Sequence, residues 1–140
     1  MIKLVLWLVI AITGLFIGLG ILSQKGEAPG LIDGRLKEPG SRPNTVSSEA
    51  DVQPERSVKP LRASLSQIAE IIEATGGTIT SRTDSYLSAT YMSRIFKFVD
   101  DVEIRVDGEY CHIRSASRVG FSDRGINRKR VETIRQALQT

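Results

Sequence analysis

Residues 102–113 read Val-Glu-Ile-Arg-Val-Asp-Gly-Glu-Tyr-Cys-His-Ile, two alternating runs that meet at Asp107-Gly108. Apolar and polar residues that alternate with period two describe a strand with one buried face. Asp-Gly between two such runs favours a two-residue hairpin, because these residues tolerate the positive φ that the turn requires. Pairing Val106 with Glu109 predicts the register: Ile104 faces Cys111 and Val102 faces Ile113, all on one side. The other side pairs Arg105 with Tyr110, Glu103 with His112 and Asp101 with Arg114, which sets opposite charges across from one another. Cys111 is therefore expected to be a small buried apolar residue, and His112 a solvated partner of Glu103 and not a catalytic base.

Outward from this ribbon, Ser64–Thr75 carries Leu65, Ile68, Ala69 and Ile72 at helical spacing. Ser64 and Gln67 make a possible capping box, and Gly76-Gly77 supplies the stop. Further extended segments are expected at 78–82, 86–92 and 95–99, with the ribbon itself at 102–106 and 110–115. Asn127–Leu138 reads as a second amphipathic helix, with Val131, Ile134 and Leu138 inward and Asn127 as N-cap. The order of helix, four to five antiparallel strands and helix implies an α+β fold with both helices on one sheet face.

The chain has 140 residues, but all five prolines fall between Pro29 and Pro60, and positions 4–22 carry no charge. Residues 61–140 are expected to hold one modest core, too small for a two-domain enzyme. One cysteine and one histidine exclude an intramolecular disulfide framework and argue against a zinc site, so no metal or cofactor is expected.

Leu4–Leu22 spans about 28 Å as a helix, close to a bilayer's hydrocarbon thickness. An uncleaved transmembrane anchor, residues 1–23, is favoured over a cleaved signal: the run exceeds a signal peptide's apolar core, and no small-residue cleavage site follows Leu22. Lys and Arg alone would leave the C-terminus inside, since Lys25, Arg35 and Lys37 follow the helix. The two-residue leader with Lys3 instead resembles a signal-anchor. The expectation is a single-pass protein of the cytoplasmic (inner) membrane with an extracytoplasmic, periplasmic domain. Gly14 and Gly18 form a G-x-x-x-G spacing that could pair two such helices. Residues 24–60 read as a Pro/Gly/Ser-rich disordered linker, reaching on the order of 35 Å and keeping the domain off the membrane.

Charge in the domain is uneven: residues 61–109 carry a net −3 and residues 110–140 a net +5. Arg128, Lys129 and Arg130 occupy the first turn of the second helix, where the dipole already places positive charge. Either internal carboxylates such as Asp100 and Asp123 neutralise them, or an anion binds among Arg118, Arg128, Arg130 and the helix N–H groups. Adjacent on a strand, Asp100 and Asp101 point to opposite faces and cannot form a facing dyad. Serines 115, 117 and 122 lack a histidine base on their side of the sheet. The small net charge and the anchor argue against nucleic-acid binding.

The run Ile113-Arg114-Ser115-Ala116-Ser117-Arg118-Val119-Gly120-Phe121-Ser122-Asp123-Arg124-Gly125-Ile126-Asn127-Arg128-Lys129-Arg130 resembles the signature of the bacterial and plastid family called domain of unknown function 1499. Phe96–Glu103 resembles the family's Phe-x-Phe-x-Asp-Asp segment, and Arg42–Ser48 its Pro-Asn-x-Val-Ser-Ser motif, so the resemblance covers about 42–138. It implies no established activity, but members commonly follow an export or membrane segment. The positions it carries over are Asn44, Ser47, Asp100, Asp101, Arg114, Ser115, Ser117, Arg118, Asp123, Asn127, Arg128 and Arg130. Many members have cysteines flanking the Pro-Asn motif. This chain has Pro39 and Thr45 there, so no disulfide carries over.

Together these readings describe a membrane-anchored extracytoplasmic domain that binds and performs no chemistry. The expected partners are the membrane, an anionic small molecule or an envelope protein. The enzyme alternative makes Asp100 or Asp101 a general base, with Arg118 holding an anionic substrate. A third possibility is an assembly module paired through Gly14 and Gly18.

Overall fold

The computed structural model describes residues 1–140. It opens with one long apolar helix, α1 (Ile2–Ser23), whose length and composition suit a membrane span. A small hairpin follows, β1 (Leu31–Ile32) and β2 (Arg35–Leu36), and then β3 (Thr45–Ser47). The remaining elements are α2 (Leu65–Ala74), β4 (Thr78–Arg82), β5 (Tyr86–Met92), β6 (Val99–Asp107), β7 (Tyr110–Ser117) and α3 (Ile126–Ala137). Five strands form one antiparallel sheet in the order β3-β7-β6-β5-β4. The fold is α+β, as expected.

Both helices follow the periodicity read from the sequence, and α2 also uses the expected capping. Ser64 accepts from the Gln67 N–H while the Gln67 side chain accepts from the Ser64 N–H, closing the capping box of α2. Ile68 and Ile72 of α2 and Val131 and Ile134 of α3 are buried against Leu87, Ala89, Val102, Ile104, Cys111 and Ile113 of the sheet. Cys111 is buried and unpaired, and burial pushes its thiol up, as expected of a packing residue.

The hairpin register differs by two. Asp107 pairs with Tyr110, Ile104 with Ile113, Glu103 with Arg114 and Val102 with Ser115. Gly108 takes φ +60° and Glu109 stays at negative φ, so glycine holds the first central position and Asp107 belongs to the strand. A slip of two preserves which side each residue faces, so the buried set survives while every cross-strand partner changes.

Three other expectations fall. Residues 95–99 do not form a strand; only Val99 begins β6, and the fifth strand is β3. The N-cap of α3 is Gly125, not Asn127. Residues 24–60 are not a disordered linker: Leu36, Val58 and the whole of 44–49 are buried. Their chain turns at Asp33-Gly34, both at positive φ, which is the type I′ arrangement. The hairpin β1–β2 lies over β6 and β7 on the sheet face away from α2 and α3. A stretch rich in proline can order itself when backbone donors meet buried carboxylates, and Gly30 and Leu36 donate to Glu103 and Glu49.

The domain also grips the end of α1. Ser23 is 1% exposed; its Oγ donates to the Gly20 carbonyl at 2.7 Å and accepts from the Val99 N–H at 3.1 Å. Arg118 Nη1 donates to the Ser23 carbonyl at 3.1 Å. A Cβ added to Gly20 would lie 1.7 Å from the Phe96 carbonyl oxygen, so the helix approaches the 93–98 loop as closely as glycine permits.

Candidate functional site

The twelve singled-out residues divide into two polar layers on opposite sides of the sheet. The parity of β6 decides this: Asp100 shares the helix side with Val102 and Ile104, while Asp101 shares the other with Glu103 and Arg105.

On the helix side, Asn127 is fully buried at the start of α3 and organises the layer. Its Oδ1 accepts from Ser115 Oγ at 2.6 Å and from Arg130 Nη1 at 2.7 Å. Its Nδ2 donates to the Asn44 carbonyl at 3.1 Å and to Ser117 Oγ at 3.0 Å. Asn44 Nδ2 donates in turn to the Gly120 carbonyl at 3.0 Å. Arg130 also donates to Asp100 Oδ2 at 2.8 Å and lies 4.5 Å from the centre of the Tyr91 ring. Asp123 accepts from the Gly125 and Asn127 N–H groups at 3.0 and 2.9 Å, occupying the helix terminus where an anion would bind. Arg128 donates to the Ser57 and Glu55 carbonyls at 3.0 and 2.7 Å.

Beneath the β1–β2 hairpin, the other layer is ionic. Arg118 grips Asp101 through two bonds of 2.8 and 2.7 Å. Arg114 donates to Glu103 Oε2 at 2.9 Å, and Glu103 Oε1 accepts from Tyr86 Oη at 2.8 Å and the Gly30 N–H at 2.9 Å. Arg105 donates twice to Glu49, at 2.6 and 2.9 Å, and Arg35 and the Leu36 N–H add 3.2 and 3.0 Å bonds. Burial alone would raise the Glu49 carboxyl, but these donors, Arg105 foremost, hold it down at about 2. Burial and the adjacent Glu103 carboxylate push the Tyr86 hydroxyl up. His112 stands opposite Arg105 and contacts the Ser48 carbonyl at 2.9 Å. Ser47 is buried in β3, where its Oγ accepts from the Glu49 N–H.

These pairings correct the expected ones in a single pattern. Asp101 holds Arg118 instead of Arg114, Arg114 takes Glu103 instead of Asp101, and His112 loses Glu103. Each change follows from the two-residue register shift. Arg118, Arg128 and Arg130 do not converge on one anion site: Arg118 and Arg130 bind carboxylates on opposite faces, and Arg128 binds main-chain carbonyls. The enzyme alternative also loses its pairing of Asp100 with Arg118, since those groups face opposite ways.

Several participants were not singled out, among them Glu49, Arg105, Arg35, Tyr86, Ser23 and Gly20. Glu49 and Arg35 sat inside the supposed linker, yet Asp33-Gly34 carries the same turn signal that located the main hairpin. Neither the curated proteins nor the solved structures offer a match to this chain. A family profile described as "Protein of unknown function (DUF1499)" matches residues 35–138. That span begins at the hairpin strand bearing Arg35 and ends with α3, so it takes in both polar layers. The chain belongs to this family of proteins of unknown function, DUF1499.

Proposed function

We propose that this protein is a single-pass, membrane-anchored binding module whose domain faces the extracytoplasmic side of the inner membrane and performs no chemistry of its own. One observation carries the reading: the last turn of α1 is part of the domain's structure. Removing α1 would strip the Val99 N–H and the Arg118 guanidinium of Ser23 and leave their side of the sheet unsatisfied. A segment with that role is suited to be kept, not cleaved as a signal. The absence of chemistry is supported by both aspartates considered as bases being engaged by arginines, Asp101 through both oxygens. The proposed partner is an envelope protein or an anionic molecule, bound outside the two polar layers because their arginines are already engaged.

The test follows the intact chain. Membranes extracted with alkaline carbonate should retain a protein whose mass includes residues 1–23. An impermeant maleimide should label Glu109→Cys in intact cells while Cys111, buried, stays unlabelled. A soluble product beginning after Ser23 would overturn the anchor, and labelling only after lysis would overturn the orientation.

A further inference from the structure

Phe16 packs against Phe96 and Phe98, with ring centres 5.1 and 6.1 Å away. Phe16 lies six positions before Leu22, the last residue of the apolar run. It therefore sits about 9 Å inside that end along the helix axis. A helix that crosses a bilayer over this run draws the 93–98 loop down to the level of the acyl chains. There the medium facing the protein is lipid, and the nearby surface has the matching character. Ile95 is 81% exposed and Phe121 72%, with Met92 and Ile126 exposed as well. Arg94, Lys97 and Arg124 stand among them without any ion pair. Apolar side chains interleaved with unpaired cations are the composition of a segment seated in a negatively charged membrane interface.

Between α1 and these loops lies a cavity of about 640 Å³. Phe16, Leu19, Phe98 and Val119 form apolar walls, while Arg124, the Arg130–Asp100 pair and Asp123, which is turned to the α3 N–H groups, are among its polar lining. Val99 bonds Ser23 at the C-terminal end of α1, so Asp100, the next residue, lies toward that end and not toward Phe16. The cavity thus runs from the apolar flank of the anchor to a charged end within the domain. That sequence of surfaces matches an amphiphile with a long chain and a phosphate head.

We propose that the junction of α1 with the domain is a phospholipid site: an acyl chain lies against Phe16, Leu19, Phe98 and Val119, and the phosphate is held at Arg124. Arg94 and Lys97 favour a leaflet rich in anionic lipid. This inference rests on α1 being a retained anchor, and it places the domain on the membrane surface.

The test uses the full-length chain with Trp7→Phe, which removes its single tryptophan, and one reporter at a time: Phe16→Trp, Phe121→Trp or Glu109→Trp. Each is reconstituted in phosphatidylglycerol vesicles with brominated acyl chains, which quench tryptophan on contact. Phe16→Trp and Phe121→Trp should both be quenched, with Glu109→Trp bright. Brominated phosphatidylcholine should quench Phe121→Trp about twofold less, a difference that Arg94→Gln combined with Arg124→Gln should remove. Quenching of Phe16→Trp with Phe121→Trp bright overturns the lipid site and leaves the anchor standing. If both stay bright, the anchor reading itself fails. Equal quenching by the two lipids overturns the preference for anionic lipid assigned to Arg94, Lys97 and Arg124.

Discussion

Glu49 shows how much one side chain can organise. It is buried among Arg105, Arg35 and the Leu36 N–H, and those donors keep it ionised down to a pH of about 2. Its folded value lies below the ordinary 4.5, so its contribution to stability is complete above pH 4.5 and is lost as pH falls toward 2. Thermal unfolding of the detergent-solubilised protein should therefore show a stability loss across that window, and Glu49→Gln should flatten it. At neutral pH the same substitution removes the charge partner of a largely buried arginine and should cost about 3 kcal/mol. Asn127 carries comparable weight on the other face, where it binds four groups. Asn127→Ala should cost about 3 kcal/mol in chemical denaturation, because the Ser115 and Arg130 donors would be left without their acceptor. That these residues matter was partly legible. Asn127 stood out in the motif run, but it was read as a cap; Glu49 gave no local signal, because its partners are 56 and 14 positions away.

At the scale of elements, the two Asp-Gly pairs make an instructive contrast. Asp107-Gly108 was identified as a turn and its faces were read correctly, yet its register was off by two because glycine took the first central position. Periodicity reports the face of a strand and is blind to a slip of two. Asp33-Gly34 adopts the two-positive-φ turn, but short strands and nearby prolines hid it. Gly34 has φ +76°, where a Cβ is strained even though no atom crowds it. Gly34→Ala should therefore destabilise by about 1 kcal/mol, while Gly40→Ala, with no positive φ and open space around it, should be near neutral. A comparison of denaturation midpoints of the two variants checks this. β3 escaped sequence reading for a related reason. A three-residue edge strand has too few residues to display an alternation, and its ladder to β7 depends on chain far downstream.

For the molecule as a whole, the largest departure from expectation is the junction. A flexible tether was expected to hold the domain some distance from the membrane, but the helix end is hydrogen bonded into the sheet. Composition could locate the helix and the α+β domain; it could not report that Gly20 and Ser23 are contact residues, since nothing in a span's own periodicity encodes a partner 76 positions away. Gly20→Leu should leave α1 inserted but force it off the Phe96 carbonyl. Limited proteolysis of the reconstituted chain should then cut between Ser23 and Leu31 several times faster than in the unsubstituted protein.

Ser23 also joins two bodies with different reasons for their orientation. A membrane helix leans according to the mismatch between its apolar length and the surrounding bilayer. If α1 spans the membrane as proposed, the bonds at Ser23 pass that lean to the sheet, so a thinner bilayer would incline the domain together with the span. The protein's outward surfaces would then be aimed by the thickness of the lipid beneath them.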